Sequence, residues 1–262
     1  MFQRILIANR GEIALRVIRT AREQGIETVA VYSEADACAL HTRLADQAIA
    51  LGGLLPAESS LDMDKILDAA KRTGAEAVHP GYGFLAENAE FARRVVEAGM
   101  AWIGPPPEAI TQMGDKIVSR QIMKAANVPM VPGMTEPAAD ADAARAAADE
   151  MGYPVMLKAA AGGGGKGIRI VHEPTELAGA FKTASGEALA GFGDGRMYVE
   201  RYLVNTRHIE IQVMFDAHGN GVHFGERECS MQRRHQKLVE ECPSTAVSEA
   251  MRQEMGAAAL RA

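Results

Sequence analysis

The chain has 262 residues, 47% of them hydrophobic, and sets 28 Lys and Arg against 34 Asp and Glu for a net charge of −6. That length accommodates about two domains, the apolar content suffices for packed cores, and the acidic balance argues against nucleic acid as a main partner. No apolar run reaches the roughly 18 residues of a membrane span, so no membrane partner is expected. The opening MFQRILIANRGE reads as a strand running into charges rather than a signal peptide, which sets the expectation of a cytoplasmic protein, or one of the mitochondrial matrix after removal of a transit peptide.

In chain order, residues 4–8 read as a strand and residues 12–24 as a helix, with Ile13, Val17, Ile18 and Ala21 at helical spacing and Gly25 closing it. A strand follows at 28–32, a helix at 62–73 closed by Gly74, a strand at 75–79, and a helix at 89–98 closed by Gly99. Strands alternating with helices of this length predict parallel βαβ units and an α/β, doubly wound sheet. Ligands of such sheets sit beyond the carboxyl ends of the strands, where Asn9-Arg10-Gly11-Glu12 and His79-Pro80-Gly81-Tyr82-Gly83 fall.

A single helix is predicted over 107–126, then a Pro/Gly connection at 127–133 suited to a hinge. Residues 138–148 are Ala-rich and read as an exposed helix. From 138 to 199 the order is helix, strand, glycine hairpin, strand, helix, strand, a small α+β lid. Residues 208–213 alternate strictly, 216–220 form a turn and 222–224 return, as an antiparallel pair. Residues 248–262 are helix-like. The division expected is 1–113 for the Rossmann-like domain and 114–262 for the second, with the lid at about 131–204.

The glycine hairpin lies in AAAGGGGKGIRIV, residues 159–171. Gly162 to Gly167 satisfies G-x-G-x-x-G, but strands flank it and no Ser or Thr follows Lys166, so neither a dinucleotide fingerprint nor a P-loop fits. Bare backbone N–H groups of a Gly-rich loop can still close over an anion; an ordinary β-turn is the alternative. Lys158 ends the preceding strand and Lys116 opens a helix in Met113-Gly114-Asp115-Lys116. Two lysines on separate elements beside an amide-rich flap are what a polyphosphate requires, although either lysine alone reads as a solvated charge. The basic run Arg233-Arg234-His235-Gln236-Lys237 lacks the interleaved aromatics of a single-strand platform. Cys38, Cys229 and Cys242 form no CxxC pair, and His208, His223 and His235 have no zinc-ligand spacing.

These segments together resemble the amino-terminal part of biotin carboxylase, the ATP-grasp component of acetyl-, propionyl- and methylcrotonyl-coenzyme A carboxylases and of pyruvate carboxylase. The resemblance is carried by ILIANRGEIALRVIRTA (5–21), HPGYGFLAENAEFA (79–92), WIGP (102–105), MGDK (113–116), GYPVMLKAAAGGGGKGIRIV (152–171), RHIEIQV (207–213) and GERECSMQRRHQKLVEECPS (225–244). It implies that Lys116 and Lys158, with Gly163, Gly164 and Gly165, contact nucleotide phosphates. It implies further that Glu200, Arg201, Tyr202 and Leu203 meet the adenine, the middle two mainly through backbone, and that His208, Gln232 and His235 make polar contacts to the nucleotide. Lys237 matches the lysine that helps hold bicarbonate, the catalytic assignment.

The reaction so implied is ATP-dependent carboxylation of carrier-bound biotin by bicarbonate through carboxyphosphate, with ATP and magnesium as cofactors. The magnesium carboxylates, the general base and further arginines of the family are expected beyond the end of this chain, so no metal ligand is assigned within it. The expected partners are bicarbonate, a biotin carboxyl carrier protein or domain and a carboxyltransferase; a homodimer and the final acyl acceptor stay open. Two alternatives remain: a non-catalytic nucleotide-binding fragment, and another ATP-grasp ligase such as carbamoyl phosphate synthetase.

Overall fold

The computed structural model describes residues 1–161, 167–216, 218–233 and 236–262. The chain divides into two compact units, Met1–Gln112 and Met113–Ala262.

The first unit is built on a five-stranded parallel sheet in the order β3-β2-β1-β4-β5, made of β1 (Arg4–Ile7), β2 (Glu27–Tyr32), β3 (Gln47–Ala50), β4 (Ala77–His79) and β5 (Ala101–Trp102). In the central β1, Ile5 and Ile7 join Ala14, Ile18 and Ala21 of α1 (Gly11–Glu23), while Leu6 joins a second core with Ile66 and Leu67 of α3 (Met63–Thr73) and Phe91 and Val95 of α4 (Ala89–Glu97). Two buried faces explain why that strand is apolar throughout rather than alternating. A short α2 (Leu40–Leu44) precedes β3. The helix starts follow local chemistry: the Asp62 and Asn88 side chains accept from the N–H groups of Lys65 and Phe91, and Gly74 closes α3 in the left-handed region. The doubly wound sheet is as the alternation predicts. The strands β3 and β5 carried no prediction; both are short edges, and β3 is only partly buried.

The strand order reverses between β1 and β4, and the loops after these two strands line a crevice of about 340 Å³ with Asn9, Arg10, Glu12, Tyr82 and Phe84. Buried Asn9 joins the loops, its Nδ2 donating to the carbonyls of Pro80 (2.7 Å) and Tyr82 (2.8 Å). Gly81 has φ +65, and a Cβ there would lie 2.8 Å from Asn9 Nδ2, so the close approach of the loops requires glycine.

The predicted single helix over 107–126 is two, α5 (Pro107–Gly114) and α6 (Lys116–Ala125). Asp115 breaks them: its side chain caps α6, accepting from the N–H groups of Ile117 (2.8 Å) and Val118 (3.1 Å). Next come α7 (Ala141–Met151), β6 (Val155–Ala159), β7 (Ile168–Val171), α8 (Pro174–Phe192) and β8 (Met197–Arg201), with β6 central in an antiparallel β7-β6-β8 sheet. The Ala-rich helix is not exposed on all sides: Ala144 and Ala148 are fully buried against the sheet core of Val155, Leu157, Val171, Met197 and Val199. Alanine permits that close packing of α7 because it brings almost no side-chain bulk.

The last part pairs β9 (Ile209–Phe215) with β10 (Gly221–Glu228), adds the two-residue strands β11 (Gln232–Arg233) and β12 (Gln236–Lys237), and ends in α9 (Glu249–Arg261). The strand β10 runs four residues beyond the predicted return. Its register shifts between His223 and Glu226, where Gly225 has φ 79. This bulge reverses side-chain parity, leaving Val222 and Phe224 exposed but burying Glu226 and Glu228. Among the described residues no helix is long and apolar enough to cross a membrane.

Candidate active site

Alternation along β6 and β8 separates core from site. Val155, Leu157, Ala159, Met197 and Val199 pack with α7 and α8, which leaves Lys158, Tyr198 and Glu200 on the other face. There the Lys158 ammonium group is paired with Glu200 Oε1, while Arg120 Nη1 lies 3.3 Å from Glu200 Oε2. Arg120 also donates to the carbonyls of Val131 (2.8 Å) and Met134 (3.0 Å), and its guanidinium lies 5.8 Å from the centroid of the Tyr198 ring. Burial and the neighbouring Glu200 charge push the Tyr198 phenol well above its ordinary range. Lys116 is the first residue of α6, where the helix dipole is positive. Its backbone N–H donates to the Ala160 carbonyl (3.1 Å) and its Nζ to the Ala159 carbonyl (3.2 Å), which ties the helix start to the end of β6. Burial, then the Lys158 charge, lowers the Lys116 pKa against the opposing pull of Glu200.

Three cations thus gather around one carboxylate. Sequence reasoning missed Arg120, although it stands four residues after Lys116 on one helix and so shares its face. The Arg201 N–H donates to the Pro132 carbonyl (2.8 Å) and that of Tyr202 to Pro154 (3.1 Å). These bonds commit the N–H groups of both residues, so any backbone donation to a ring edge falls to the next residue, Leu203, whose N–H has no acceptor among the described residues.

A second cluster forms on β9–β12. His208 Nδ1 lies 2.8 Å from Gln232 Nε2, which also lies 2.9 Å from the Cys229 carbonyl. Gln232 is opposite Lys237 in the β11–β12 register, and the Lys237 ammonium group is paired with Glu210 Oε2. The other Glu210 oxygen accepts from Arg227 Nε (2.7 Å), its cross-strand partner in the hairpin. The hydrogen bond from Lys237 and the Arg227 guanidinium hold the Glu210 pKa down at about 2, and the Glu210 carboxylate in turn raises those of both cations. The sequence-derived residues therefore fall into two groups, Lys116, Lys158 and Glu200 in one, His208, Gln232 and Lys237 in the other. Gly163, Gly164, Gly165 and His235 lie outside the described residues.

On the inner face of the hairpin, Glu226 accepts from Arg252 Nε (2.6 Å) and Nη2 (2.8 Å), and Glu228 from Arg207 Nη1 (2.7 Å) and the Ser244 hydroxyl. The donor set fits a polyphosphate: ammonium groups, a guanidinium and a helix N-terminus. It does not fit magnesium. The ligand atoms of Glu210, Cys229 and Glu240 lie within 4.8 Å of one another, but Glu210 already serves two cations and the buried thiol is held protonated by desolvation. A hard dication prefers uncommitted oxygens.

Residues 115–262 match the family described as carbamoyl-phosphate synthase L chain, ATP binding domain, and residues 1–110 match that described as biotin carboxylase, N-terminal domain. The chain belongs to the biotin carboxylase family. It is 52% identical over 262 residues to a subunit of the pyruvate carboxylase of Methanothermobacter thermautotrophicus, covering all of this chain and 53% of that protein. It is likewise 52% identical to the biotin carboxylase of Halalkalibacterium halodurans, covering all of this chain and 58% of the other. Among solved structures it resembles the biotin carboxylase domain dimer of Hydrogenobacter thermophilus 2-oxoglutarate carboxylase in complex with MgADP, ADP and bicarbonate, with a TM-score of 0.93, 48% identity, and coverage of 100% of this chain and 57% of that one. The chain spans about half the length of the curated relatives it matches. Its architecture is that of the biotin carboxylase family, a doubly wound domain followed by an ATP-grasp domain.

Proposed function

We propose that this chain supplies the nucleotide- and bicarbonate-binding part of an ATP-dependent biotin carboxylase. The observation that carries the reading is the gathering of Lys116, Lys158 and Arg120 around the carboxylate of Glu200. Like charges concentrated in a half-buried place call for a polyanion. On this reading Lys116 and Lys158 hold phosphates, the Leu203 N–H and neighbouring backbone meet the adenine, and His208 and Gln232 orient the nucleotide. Lys237 holds bicarbonate so that an oxygen of it attacks the γ-phosphorus, ADP leaves and carboxyphosphate forms. Positioned cations favour this step because they neutralise charge that develops in the transition state. Magnesium, when bound, would spread the phosphate charge.

The carboxyl group would then pass to a ureido nitrogen of biotin on a carrier protein or domain, and a carboxyltransferase would consume it. Relatives named for pyruvate carboxylase and biotin carboxylase match with equal identity, so the region shared with them does not select the acyl acceptor. The test is ADP release from magnesium-ATP with and without bicarbonate and free biotin, beside nucleotide binding. Lys116→Ala and Lys158→Ala should each weaken ATP binding roughly tenfold to hundredfold, and Lys237→Ala should abolish bicarbonate dependence. Tight ATP binding without any bicarbonate dependence would instead identify a non-catalytic nucleotide-binding module, and ATP binding indifferent to both lysines would overturn the reading.

A further inference from the structure

We propose that Glu210, gripped from its other side by Arg227, is the positioning residue that aims the Lys237 ammonium group at its anion, an inference that rests on the reading of Lys237 given above. Lys237 sits on a two-residue strand and its side chain is 37% exposed, so its own element does little to fix a long flexible side chain. Glu210 belongs to the seven-residue β9, and Arg227 faces it directly across the β9–β10 ladder. Each carboxylate oxygen takes a different cation: Oε1 accepts from Arg227 Nε and lies 2.6 Å from its Nη2, while Oε2 accepts from Lys237. The carboxylate is thereby fixed by the hairpin and can in turn locate the lysine.

The surroundings also set the lysine's protonation. The hydrogen bond to Glu210, with the Glu210 and Glu240 charges, favours its charged form against the opposing effect of desolvation. An ammonium group attracts an oxyanion and has no lone pair. A free amine here would attack the carbonyl carbon of an activated carboxyl group: a C–N bond would form, the C–O bond to phosphate would break, phosphate would leave, and the nitrogen would lose a proton to solvent. The product, a lysine carbamate, would waste the carboxyl group. The pair with Glu210 therefore both places the cation and withholds a nucleophile.

Site-resolved labelling tests this without requiring turnover. Trace acetic anhydride acetylates only free amines, and peptide mass spectrometry read across pH gives a midpoint for Lys237, with exposed Lys182 of α8 as the internal reference. In the unmodified chain the Lys237 midpoint should lie above that of Lys182; a midpoint at or below it overturns the proposal even if no variant folds. Glu210→Gln should lower the midpoint by about one unit, roughly tenfold more labelling at pH 8. Glu210→Asp, which keeps the charge, should restore most of the shift, a recovery that loss of shape alone would not give. Unchanged labelling in a folded Glu210→Gln chain overturns the proposal. Protection of Lys237 by added bicarbonate is a separate readout: if it is absent while the Glu210 shift stands, the contact between Glu210 and Lys237 holds and the assignment of Lys237 to bicarbonate fails.

Discussion

The first unit and the terminal hairpin are held together by opposite means. In the first, Leu6, Ile7, Ile18, Ile66 and Phe91 are at most 1% exposed and fill both faces of a parallel sheet. In the second, Met214, Val222 and Phe224 lie half or more exposed, and the buried positions of β10 go to Glu226 and Glu228, each met by an arginine. Apolar burial is nondirectional and insensitive to pH, whereas a paired carboxylate is directional and fails when protonated. A scaffold can rest on the first kind of interaction. A surface that presents Lys237 in one orientation needs the second.

The largest expected effect strikes the apolar side of this comparison. Phe91→Ala removes a fully buried ring that meets Trp102 edge-on at 5.6 Å, and should cost about 3–5 kcal/mol. Trp102 is the chain's sole tryptophan, so its fluorescence during urea unfolding reports the first unit alone, while far-UV circular dichroism reports both. Next is Gly256→Ala on α9. An added Cβ would lie 2.5 Å from the His223 ring, and overpacking there should cost about 1–3 kcal/mol, visible in circular dichroism with the Trp102 midpoint unmoved.

Acid should separate the two regions by where each starts to weaken. The hydrogen bond from Arg252 holds the folded Glu226 pKa at about 2, below its ordinary 4.5. A lowered carboxylate value contributes stability that is complete above 4.5 and is lost as pH falls toward 2. In the first unit, His41 is 1% exposed, its Nδ1 has no hydrogen-bond partner, and burial lowers its pKa from 6.5. Its neutral form is the folded form, so that contribution is complete above 6.5 and falls away as pH drops below it. Thermal unfolding followed by Trp102 should therefore decline first; burial lowers His79 of the same unit as well, so His41→Phe should reduce that early decline without abolishing it, and should leave in place the loss below 4.5 seen by circular dichroism.

A smaller effect is expected from Asp115→Ala, about 1 kcal/mol for the lost cap of α6, with weaker ATP binding because Lys116 follows it. Smallest is Asp68→Ala, which removes an exposed i,i+4 pair with Arg72 and should change stability by no more than about 0.5 kcal/mol.

The regular elements of the first unit were legible because their periodicity is local: Ile13, Val17, Ile18 and Ala21 declare a helix without reference to anything distant. The edge strands β3 and β5 were not, since an edge strand needs little apolar alternation. In the site, Lys116 and Lys158 were legible through the MGDK motif and the glycine hairpin. Arg120 was discernible in principle from its spacing but had no motif to mark it, and Glu210 looked like one polar member of an alternating strand. Its partners lie 17 and 27 residues further along, beyond any local pattern.

By itself the sequence determined the doubly wound sheet, the order of elements over residues 138–199, the glycines that end α1, α3 and α4, and the family, because these follow from spacing, turn chemistry and motifs within short windows. Only the tertiary structure decided which charges meet. The bulge at Gly225 turns Glu226 and Glu228 inward and Arg227 toward Glu210, since one extra residue in a period-two strand reverses every side chain that follows it.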